Sequence, residues 1–494
     1  MKKIICFLIL TIGFVSTSIG QMVLEKRMES KRMDAEKLVD GYYCGKFEGL
    51  DCWVMEGRRG VKQVVLTDGG LEPLCVVAVD GTDESRLLAA TLCEGHVGLL
   101  LDDRSMKGHA LVMKANVQLP TAVSEETSDQ EGGKVEIDTL LNINCDKGDE
   151  VYAWGAVSGS GEKVALVSVV EFVKVKQYTA RAMMMDRRMN VLWDKEYALG
   201  SMGEMAVTDD GLLVTMGHEV AENETHFVFN VINEKKSESY DVVLKCDPLR
   251  EVKLAGVAGH SAIVVGTYNA PNMKMSRGVT GGMFAMSFSA DSGNIAGFLE
   301  RPVMNEEMNI MYNKATKKTQ RDMVIENLHM LGTTTTSYGA AMAVGRTFRE
   351  DYTNANGSVS STHHAIGVNV LAVDTLGNVL WTRNIRRNDK QKEDDDLMKV
   401  CLVGCDSTVV LLKSEHVKYP ATYNIASSAK EFTCGDKNNI VMYAITPNGN
   451  VKKDIVESKT KHTLLRTIVG AEGELMLFSV RGNKTREAIL KGVR

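Results

Sequence analysis

The chain has 494 residues, of which 44% are apolar and 25% are charged, a composition typical of globular proteins. Its formal net charge is only −6, which argues against a nucleic-acid-binding protein, because such a protein needs a basic surface to neutralise phosphates. Aromatic residues make up 6% of the chain, so stacking platforms for bases or sugars are scarce.

Residues 1–20 have the pattern of a secretory signal peptide. Two lysines precede a mostly apolar stretch over 4–15, and Ser18 and Gly20 supply small residues for cleavage before Gln21. The apolar stretch is too short to span a membrane. We therefore expect an exported protein, periplasmic or extracellular, with no membrane span; a buried first strand is the alternative for this segment.

Residues 21–40 are charged and mixed, which predicts a linker or a short helix. The chain has ten cysteines, and nine follow the predicted cleavage site because Cys6 precedes it. This number is too small for a disulfide scaffold. Two pairs, Cys44 with Cys52 and Cys401 with Cys405, are close enough in sequence to form disulfides, provided that their Cβ atoms face each other.

From about residue 41 the apolar residues follow the period of β-strands. The strands are short, rich in Val, Ile, Phe and Tyr, and bounded by Gly, Asn or Asp, as in 163–173, 226–233 and 261–268. Many of them are nearly continuous apolar runs, which predicts burial on both faces and sheets packed on sheets.

One type of hairpin occurs twice in nearly the same letters. "MDRRMNVLWDKEY" at 185–197 and "VDTLGNVLWTRNI" at 373–385 share Asp, a turn and then Asn-Val-Leu-Trp. Related turns with Gly-Asn or Asn follow the strands elsewhere, where they supply the positive φ that tight hairpins need. We predict structural roles for Trp193 and Trp381, each packed between sheets.

A second type of strand pair precedes each such hairpin, for example at 203–217, 252–268 and 398–414. The two pairs together make a four-stranded meander, and the recurring meander predicts an all-β fold, a β-propeller. The repeats begin near seven positions: 41, 85, 150, 203, 250, 327 and 398.

The expected propeller covers 41–494 and has about seven four-stranded blades. Residues 463–494 would close the ring with strands from 51–66; if the two chain ends do not share a blade, the number becomes eight. An alternative makes 41–145 a separate β-sandwich. One region breaks the strand pattern: the methionines of 303–330 follow helical spacing, so we predict a helical insertion there.

The order of features between 284 and 420 is similar to that of a known group. A "FSADSGNIAGF" hairpin is followed by the helical segment, a Thr-rich strand, a polar loop and a hairpin with Asp374, Gly377 and Trp381 in the pattern D-x-x-G-x-x-x-W. This resembles the secreted propeller-like proteins of unassigned function in Bacteroidota. Those proteins often have Glu-Gln-Tyr where this chain has Gly-Arg-Thr at 345–347. The resemblance covers about a third of the chain and implies a fold, but no catalytic residue.

No motif predicts catalysis, a metal or a cofactor. "SGSGE" at 158–162 matches a nucleophile elbow only in composition and is predicted to be a turn. His363 and His364 are adjacent, and neighbours on a strand point to opposite faces, so they cannot both bind one ion unless a loop presents them. The acidic run at 394–396 lacks the spacing of a calcium loop and is predicted to be solvated.

We therefore predict a non-enzymatic propeller that binds a protein or glycan partner through loops on one face. The loop at 349–364 and the helix at 303–330 are the candidate face, with Tyr352, His363 and His364 as candidate binding residues. The alternative is a polysaccharide hydrolase or lyase, which requires two carboxylates at one mouth of the channel. An envelope assembly factor with a stable protein partner is a third reading.

Overall fold

The computed structural model describes residues 21–30, 41–56, 60–68, 73–82, 85–103, 109–120, 133–144, 149–172, 177–197, 203–221, 224–270, 278–313, 323–353, 357–392, 398–425, 429–434, 436–469, 475–481 and 484–493. Within these ranges the strands form eight sheets, and each contains four antiparallel strands in up-and-down order. We number them blades 1 to 8 in chain order. The sequence prediction of an all-β propeller is confirmed, and the number of blades is eight, which was the predicted alternative to about seven.

The first four blades have the following strands, all consecutive in the chain. Blade 1 has β2 (Tyr42–Phe47), β3 (Leu50–Glu56), β4 (Lys62–Thr67) and β5 (Pro73–Val79); blade 2 has β6 (Ser85–Cys93), β7 (His96–Asp103), β8 (His109–Gln118) and β9 (Val135–Asn144). Blade 3 has β10 (Glu150–Val157), β11 (Lys163–Phe172), β12 (Gln177–Asp186) and β13 (Val191–Tyr197); blade 4 has β14 (Glu204–Val207), β15 (Leu213–Val220), β16 (Thr225–Ile232) and β17 (Ser237–Leu244).

Among the last four blades, blades 5 and 6 each have one strand in addition to the basic meander. Blade 5 has β18 (Leu249–Ala258), β19 (Ser261–Asn269), β20 (Val279–Ser289), β21 (Asn294–Pro302) and the added β22 (Ile325–Glu326); blade 6 has β23 (Leu328–Thr336), β24 (Gly339–Thr353), β25 (Val359–Asp374), β26 (Val379–Lys392) and the added β29 (Phe432–Thr433). Blade 7 has β27 (Val400–Cys405), β28 (Thr408–His416), β30 (Asn438–Ile445) and β31 (Val451–Thr460); blade 8 has β32 (Thr463–Val469), β33 (Leu475–Arg481), β34 (Lys484–Val493) and β1 (Gln21–Ser30).

The blades form a ring because the first strands of successive blades contact each other from blade 1 to blade 8. Between blades 8 and 1, Ile468 of β32 and Tyr43 of β2 pack against one apolar cluster that contains Trp53 and Phe478. The first strands are therefore innermost, around the central axis. Apolar side chains fill the spaces between blades: Phe229 of blade 4 stacks on Phe288 of blade 5 with ring centroids 4.0 Å apart. No single blade buries its own faces, so the packing between blades supplies most of the hydrophobic stabilisation.

The ring closes through the first described strand. β1 pairs antiparallel with β34, from Gln21 opposite Val493 to Ser30 opposite Thr485. The two chain ends thus share blade 8, although eight blades were expected from the sequence only if the ends did not share one. Over 21–30 the expected linker or helix is replaced by a strand. The prediction that 51–66 closes the ring is wrong, because these residues contribute to β3 and β4 of blade 1. The predicted signal segment, 1–20, lies outside the described residues.

Residues 41–145 are not a separate sandwich in this structure. Their described residues form blades 1 and 2, and both pack on neighbours in the ring. Trp53 of blade 1 contacts the ring of Phe478 of blade 8 edge to face, with centroids 5.7 Å apart. Leu100 of blade 2 lies in one apolar cluster with Leu166 of blade 3. The apolar runs in this region therefore serve interfaces between blades.

The helical insertion is shorter than predicted. Helix α1 spans Asn305–Met311, and the carboxylate of Glu307 accepts a hydrogen bond of 2.7 Å from the Met304 backbone N–H at its start. The methionine spacing predicted this turn correctly, because Met308 and Met311 are buried. Residues 325–326 and 328–336 are strands instead, since β22 pairs with the start of β20 and β23 opens blade 6. Residues 314–322 are not described.

The eight cysteines in the described ranges are free thiols. Cys44 and Cys52 lie on the paired strands β2 and β3, so this pair is adjacent in space. Cys401 and Cys405 lie on one strand, β27, four residues apart. A strand rises about 3.3 Å per residue, which separates these two by roughly 13 Å and prevents a disulfide.

Candidate binding face on blade 6

The two ends of the strands form two different faces of the propeller. Tight turns join first to second and third to fourth strands, as at 209–211 and 375–378, and define the turn face. Connections between second and third strands, and between blades, define the loop face. Helix α1 and the 417–437 connection of blade 7 both lie on the loop face.

Blade 6 extends beyond the other blades on the loop face. Strands β24, β25 and β26 have 15, 16 and 14 residues, whereas the other described strands have at most 11. The expected loop at 349–364 is therefore mostly a hairpin: Arg349 lies opposite His363 and Thr353 lies opposite Val359. The polar residues here alternate along two paired strands, so polarity alone was a misleading sign of a loop.

Four side chains form a continuous stack at the base of this hairpin. The guanidinium carbon of Arg346 lies 4.6 Å from the ring centroid of Tyr312, at the end of α1, and 4.3 Å from that of Phe348. Phe348 in turn stacks on the imidazole of His364, with centroids 4.9 Å apart and planes 8° apart. Arg346 Nε also donates to the Glu326 carbonyl at 3.2 Å. The helix and the hairpin are thus joined by cation–π and stacking contacts.

Tyr352 lies further along the same face of β24 and is 49% exposed. Its hydroxyl donates to the carboxylate of Glu350, and this hydrogen bond raises the pKa of Tyr352 and lowers the pKa of Glu350. The imidazole of His364 is also close to Glu350, with Nε2 3.4 Å from the carboxylate. Glu350 is therefore an anion between two of the predicted binding residues.

His363 lies on the opposite face of the hairpin from His364, as the strand geometry predicted. On that face Arg349 donates to Asp351 at 2.6 Å, and the hydroxyl of Ser361 donates to the same carboxylate at 2.7 Å. The structure thus brings Tyr352 and His364 together around Glu350 and separates His363 from them.

Buried polar contacts fix the base of the extension. Glu307 of α1 forms an ion pair of 2.6 Å with Arg301 of blade 5 and accepts from the amide of Asn369 of blade 6 at 3.3 Å. At the far side, Arg387 and Asp389 of β26 form a buried ion pair. The contacts of Glu307 attach the helix to blades 5 and 6, because breaking a buried ion pair is strongly unfavourable.

Sequence reasoning missed Arg346, Phe348 and Tyr312. The sequence feature that could have identified them is the alternation Arg-x-Phe-x-Glu-x-Tyr at 346–352, which places four side chains on one face of a strand.

The two tryptophans predicted to be structural lie away from this site. Trp381 is 5% exposed between blades 6 and 7, and Trp193 is half-buried between blades 3 and 4.

Two cavities lie in the channel at the turn face, with volumes of about 420 and 550 Å³. The larger one is lined by the carboxylates of Asp209 and Asp210. Asp209 accepts from Ser160, and Asp210 accepts from Thr208 and His260, and these hydrogen bonds lower the pKa of both. A general acid of a hydrolase needs the opposite shift.

Within the described ranges, no group of three or more His, Cys, Asp or Glu side chains has the geometry of a metal site. Among the helices of the described residues, none combines the length and the apolar character needed to cross a bilayer.

A scan against protein-family models found no match, and a search of curated proteins found none either. Solved structures with a similar fold include the β-propeller domain of the Trilobed protease from Pyrococcus furiosus, with 10% identity, a TM-score of 0.32, and coverage of 67% of this chain and 78% of that one. The polysaccharide lyase Uly1 has 10% identity, a TM-score of 0.38, and coverage of 96% and 100%. The WD40 domain of SCAP from fission yeast has 7% identity, a TM-score of 0.37, and coverage of 95% and 99%. The similarity concerns the fold alone.

Proposed function

We propose that this chain is an exported, non-enzymatic propeller that binds a protein partner through the loop face of blade 6. The observation that supports this proposal is the hairpin extension, which presents Tyr352 and the Arg346–Phe348–His364 stack on a rigid base. Binding residues are commonly carried on segments that a rigid scaffold positions. Arg and Tyr are also among the residues enriched at protein interfaces.

The arrangement of the rings favours a protein over a glycan. A sugar stacks on an open aromatic face, but the faces of Phe348 are occupied by Arg346 and His364. Tyr352, in contrast, offers an exposed ring and a hydroxyl already bonded to Glu350. An exposed tyrosine beside charged groups suits a protein surface with apolar and basic side chains.

The proposed export rests on the pattern of residues 1–20. Expression of the full chain in a host with two membranes, followed by fractionation and N-terminal sequencing, tests it. We expect a mature protein that begins at Gln21 and lies outside the cytoplasm. A cytoplasmic chain that keeps Met1 would contradict export and leave the binding proposal to be judged separately.

The binding proposal is tested by quantitative pull-down from an envelope extract with the immobilised full chain and two variants. Tyr352→Ala removes the exposed ring of blade 6. Tyr178→Ala is the matched control, because Tyr178 is 53% exposed, lies at the loop-face end of blade 3 and also donates to a glutamate, Glu171. We expect Tyr352→Ala to lower partner recovery by about tenfold, as loss of an interface anchor does, and Tyr178→Ala to leave it unchanged.

Equal recovery by both variants would contradict binding through blade 6. A glycan array tests glycan binding, and an assay for newly formed sugar ends tests polysaccharide cleavage, both with the same wild-type chain. Binding of one glycan class that depends on Tyr352 would replace the protein by a glycan. Cleavage of a polysaccharide would contradict the non-enzymatic proposal.

A further inference from the structure

Among the described residues, the axis-facing edge of the blade 6 extension has no partner strand. β23 starts at Leu328, opposite Arg346, so β24 continues beyond its inner neighbour. The last contact on this side is the Thr347 N–H, which donates to the Asn327 carbonyl at 3.0 Å. Over 349–353 the side chains are all exposed. Within the described ranges no strand pairs with this part of β24 on its inner side.

The backbone groups that point to this edge can be identified. In an antiparallel ladder the N–H and C=O of one residue point to the same side, and the side alternates along the strand. Because the N–H of Thr347 points to the inner side, those of Arg349, Asp351 and Thr353 do so too. The groups of Phe348, Glu350 and Tyr352 point to β25 instead.

The opposite edge of the same extension, along β26, is already paired with an added strand. There the chain itself adds β29 as a parallel strand, with Asp389 opposite Phe432 and Lys390 opposite Thr433. The N–H of Cys434 continues this pairing by donating to the Lys390 carbonyl at 3.0 Å. One edge of the three-stranded extension is thus paired with an added strand of the chain, whereas the other presents a row of donors and acceptors that no described strand pairs with.

We propose that the edge of β24 at 348–353 accepts an extended peptide segment of the partner protein as an added strand. This inference rests on the proposed function and names the partner's binding mode. Main-chain hydrogen bonds to Arg349, Asp351 and Thr353 supply affinity, and alternate side chains supply specificity. The edge faces the channel axis, so an added strand would lie on the inner side of blade 6.

The side chains along the edge select the peptide. A residue opposite Glu350 shares its face and meets a carboxylate, so a Lys or Arg is favoured there. Residues two positions away on either side meet Phe348 and Tyr352, so apolar residues are favoured. On the other face, Arg349 and Asp351 already bond to each other, which suits short polar residues. These charges also protect the edge from unspecific pairing. The preferred pattern is apolar-x-basic-x-apolar.

Proline substitution tests the hydrogen bonds directly. Asp351→Pro removes an N–H that points to the open edge and leaves the ladder with β25 intact, which is the position where edge strands tolerate proline. Asp351→Ala is the matched control, because it removes the same side chain and keeps the N–H. Arg349→Pro and Arg349→Ala form a second pair, in case the first proline variant unfolds; thermal melting checks all four.

The probe is a phage-displayed library of random peptides selected on the full-length wild-type chain, followed by fluorescence anisotropy of the selected peptides. We expect the apolar-x-basic-x-apolar pattern and at least about tenfold weaker binding to Asp351→Pro than to Asp351→Ala. Equal binding to both variants, or a selection that yields no peptide, would overturn strand addition. A pulled-down partner that is lost by Tyr352→Ala and kept by both proline variants would overturn strand addition while the proposed function stands.

Discussion

The hairpins that carry Trp193 and Trp381 have the same turn and different surroundings. In each, an aspartate accepts from two backbone N–H groups and from the side-chain amide of an asparagine four residues later: Asp186 from Asn190, and Asp374 from Asn378. The position before the asparagine has positive φ in both cases, 60° at Met189 and 81° at Gly377. The repeated letters therefore specify a repeated local structure.

The two tryptophans nevertheless differ in burial because the next blade differs. The third-to-fourth-strand turn of blade 7 carries Gly449, whose carbonyl accepts from Arg383, and it covers Trp381. The equivalent turn of blade 4 is a tighter one capped by Asn233, and it leaves Trp193 in a groove of about 450 Å³ with Leu192. The hairpin sequence sets the turn, and the neighbouring blade sets whether its tryptophan is core.

The largest predicted loss of stability is at Trp381, and it should exceed the loss at Trp193. Trp381→Ala removes a buried ring between blades and should lower the free energy of unfolding by about 3–5 kcal/mol. Trp193→Ala removes a ring that still contacts water and should cost about 1–2 kcal/mol, in proportion to its smaller buried area. Chemical denaturation of the full chain measures both. Equal losses of unfolding free energy in the two variants would show that the neighbouring blade does not decide how deeply each tryptophan is buried.

The turn of blade 7 that covers Trp381 can be altered by substituting Gly449. This residue has φ +75°, and a Cβ there would overlap the Arg383 guanidinium and approach the Trp381 Cβ to 3.0 Å. Gly449→Ala should cost about 2–3 kcal/mol, from backbone strain and from overpacking. Gly161→Ala is the control, because Gly161 has φ +77° and open space around it, and it should cost only the strain of about 1–2 kcal/mol. Identical melting curves for the two variants would refute the close packing on Trp381.

The turn aspartates should behave alike, in contrast to the tryptophans. Asp186→Ala and Asp374→Ala each remove the acceptor of three hydrogen bonds in an exposed turn. We expect each to cost about 1–2 kcal/mol, since such bonds contribute roughly 1 kcal/mol or less apiece when water can replace them. If the two aspartate variants differed in unfolding free energy as strongly as the two tryptophan variants, the stability of the turn would also depend on the neighbouring blade.

The smallest effect concerns His260, which lines the groove beside Trp193 and joins blades 4 and 5. Its Nε2 lies 2.9 Å from Asp210 and its Nδ1 lies 2.7 Å from Asp291, and these hydrogen bonds raise the pKa of His260 above its usual value near 6.5. A raised pKa gives stability that is fully present below the unfolded pKa and is lost as the pH rises through the folded one. The difference in melting temperature between wild type and His260→Gln should therefore shrink from pH 6 to pH 9; a constant difference would exclude a charged His260.

Much of the fold could be predicted from the sequence, because the meander repeat is local. Turn residues such as Asp374 and Gly377, and the apolar runs between them, specify strand pairs without knowledge of the rest of the chain. The number of blades was harder to predict from the sequence. The closing strand at 21–30 is charged and shows no clear alternation, so its partner, 484–493, decides its structure. Closure is a contact between chain ends that no local pattern contains.

The candidate site could be predicted only in part. Tyr352, His363 and His364 were predicted because they lie in the long polar segment at 349–364, and their binding role stays a prediction; the structure places Tyr352 and His364 around Glu350 and His363 on the other face. The stack was not predicted, because it joins Tyr312 of the helix end to Arg346 and Phe348 of a strand that was expected to be a loop. The open edge follows from the start of β23 at Leu328, where the preceding residues leave blade 6 to pair with blade 5.

The most direct test of the binding mode is amide hydrogen exchange at single-residue resolution over 348–353. In the free chain we predict alternation: the amides of Phe348, Glu350 and Tyr352 are protected by β25, and those of Arg349 and Asp351 exchange rapidly at the open edge. A selected peptide should then slow exchange at Arg349 and Asp351 and leave the other three unchanged. Protection of Arg349 and Asp351 in the free chain, or no change on adding the peptide, would contradict an edge that receives a partner strand.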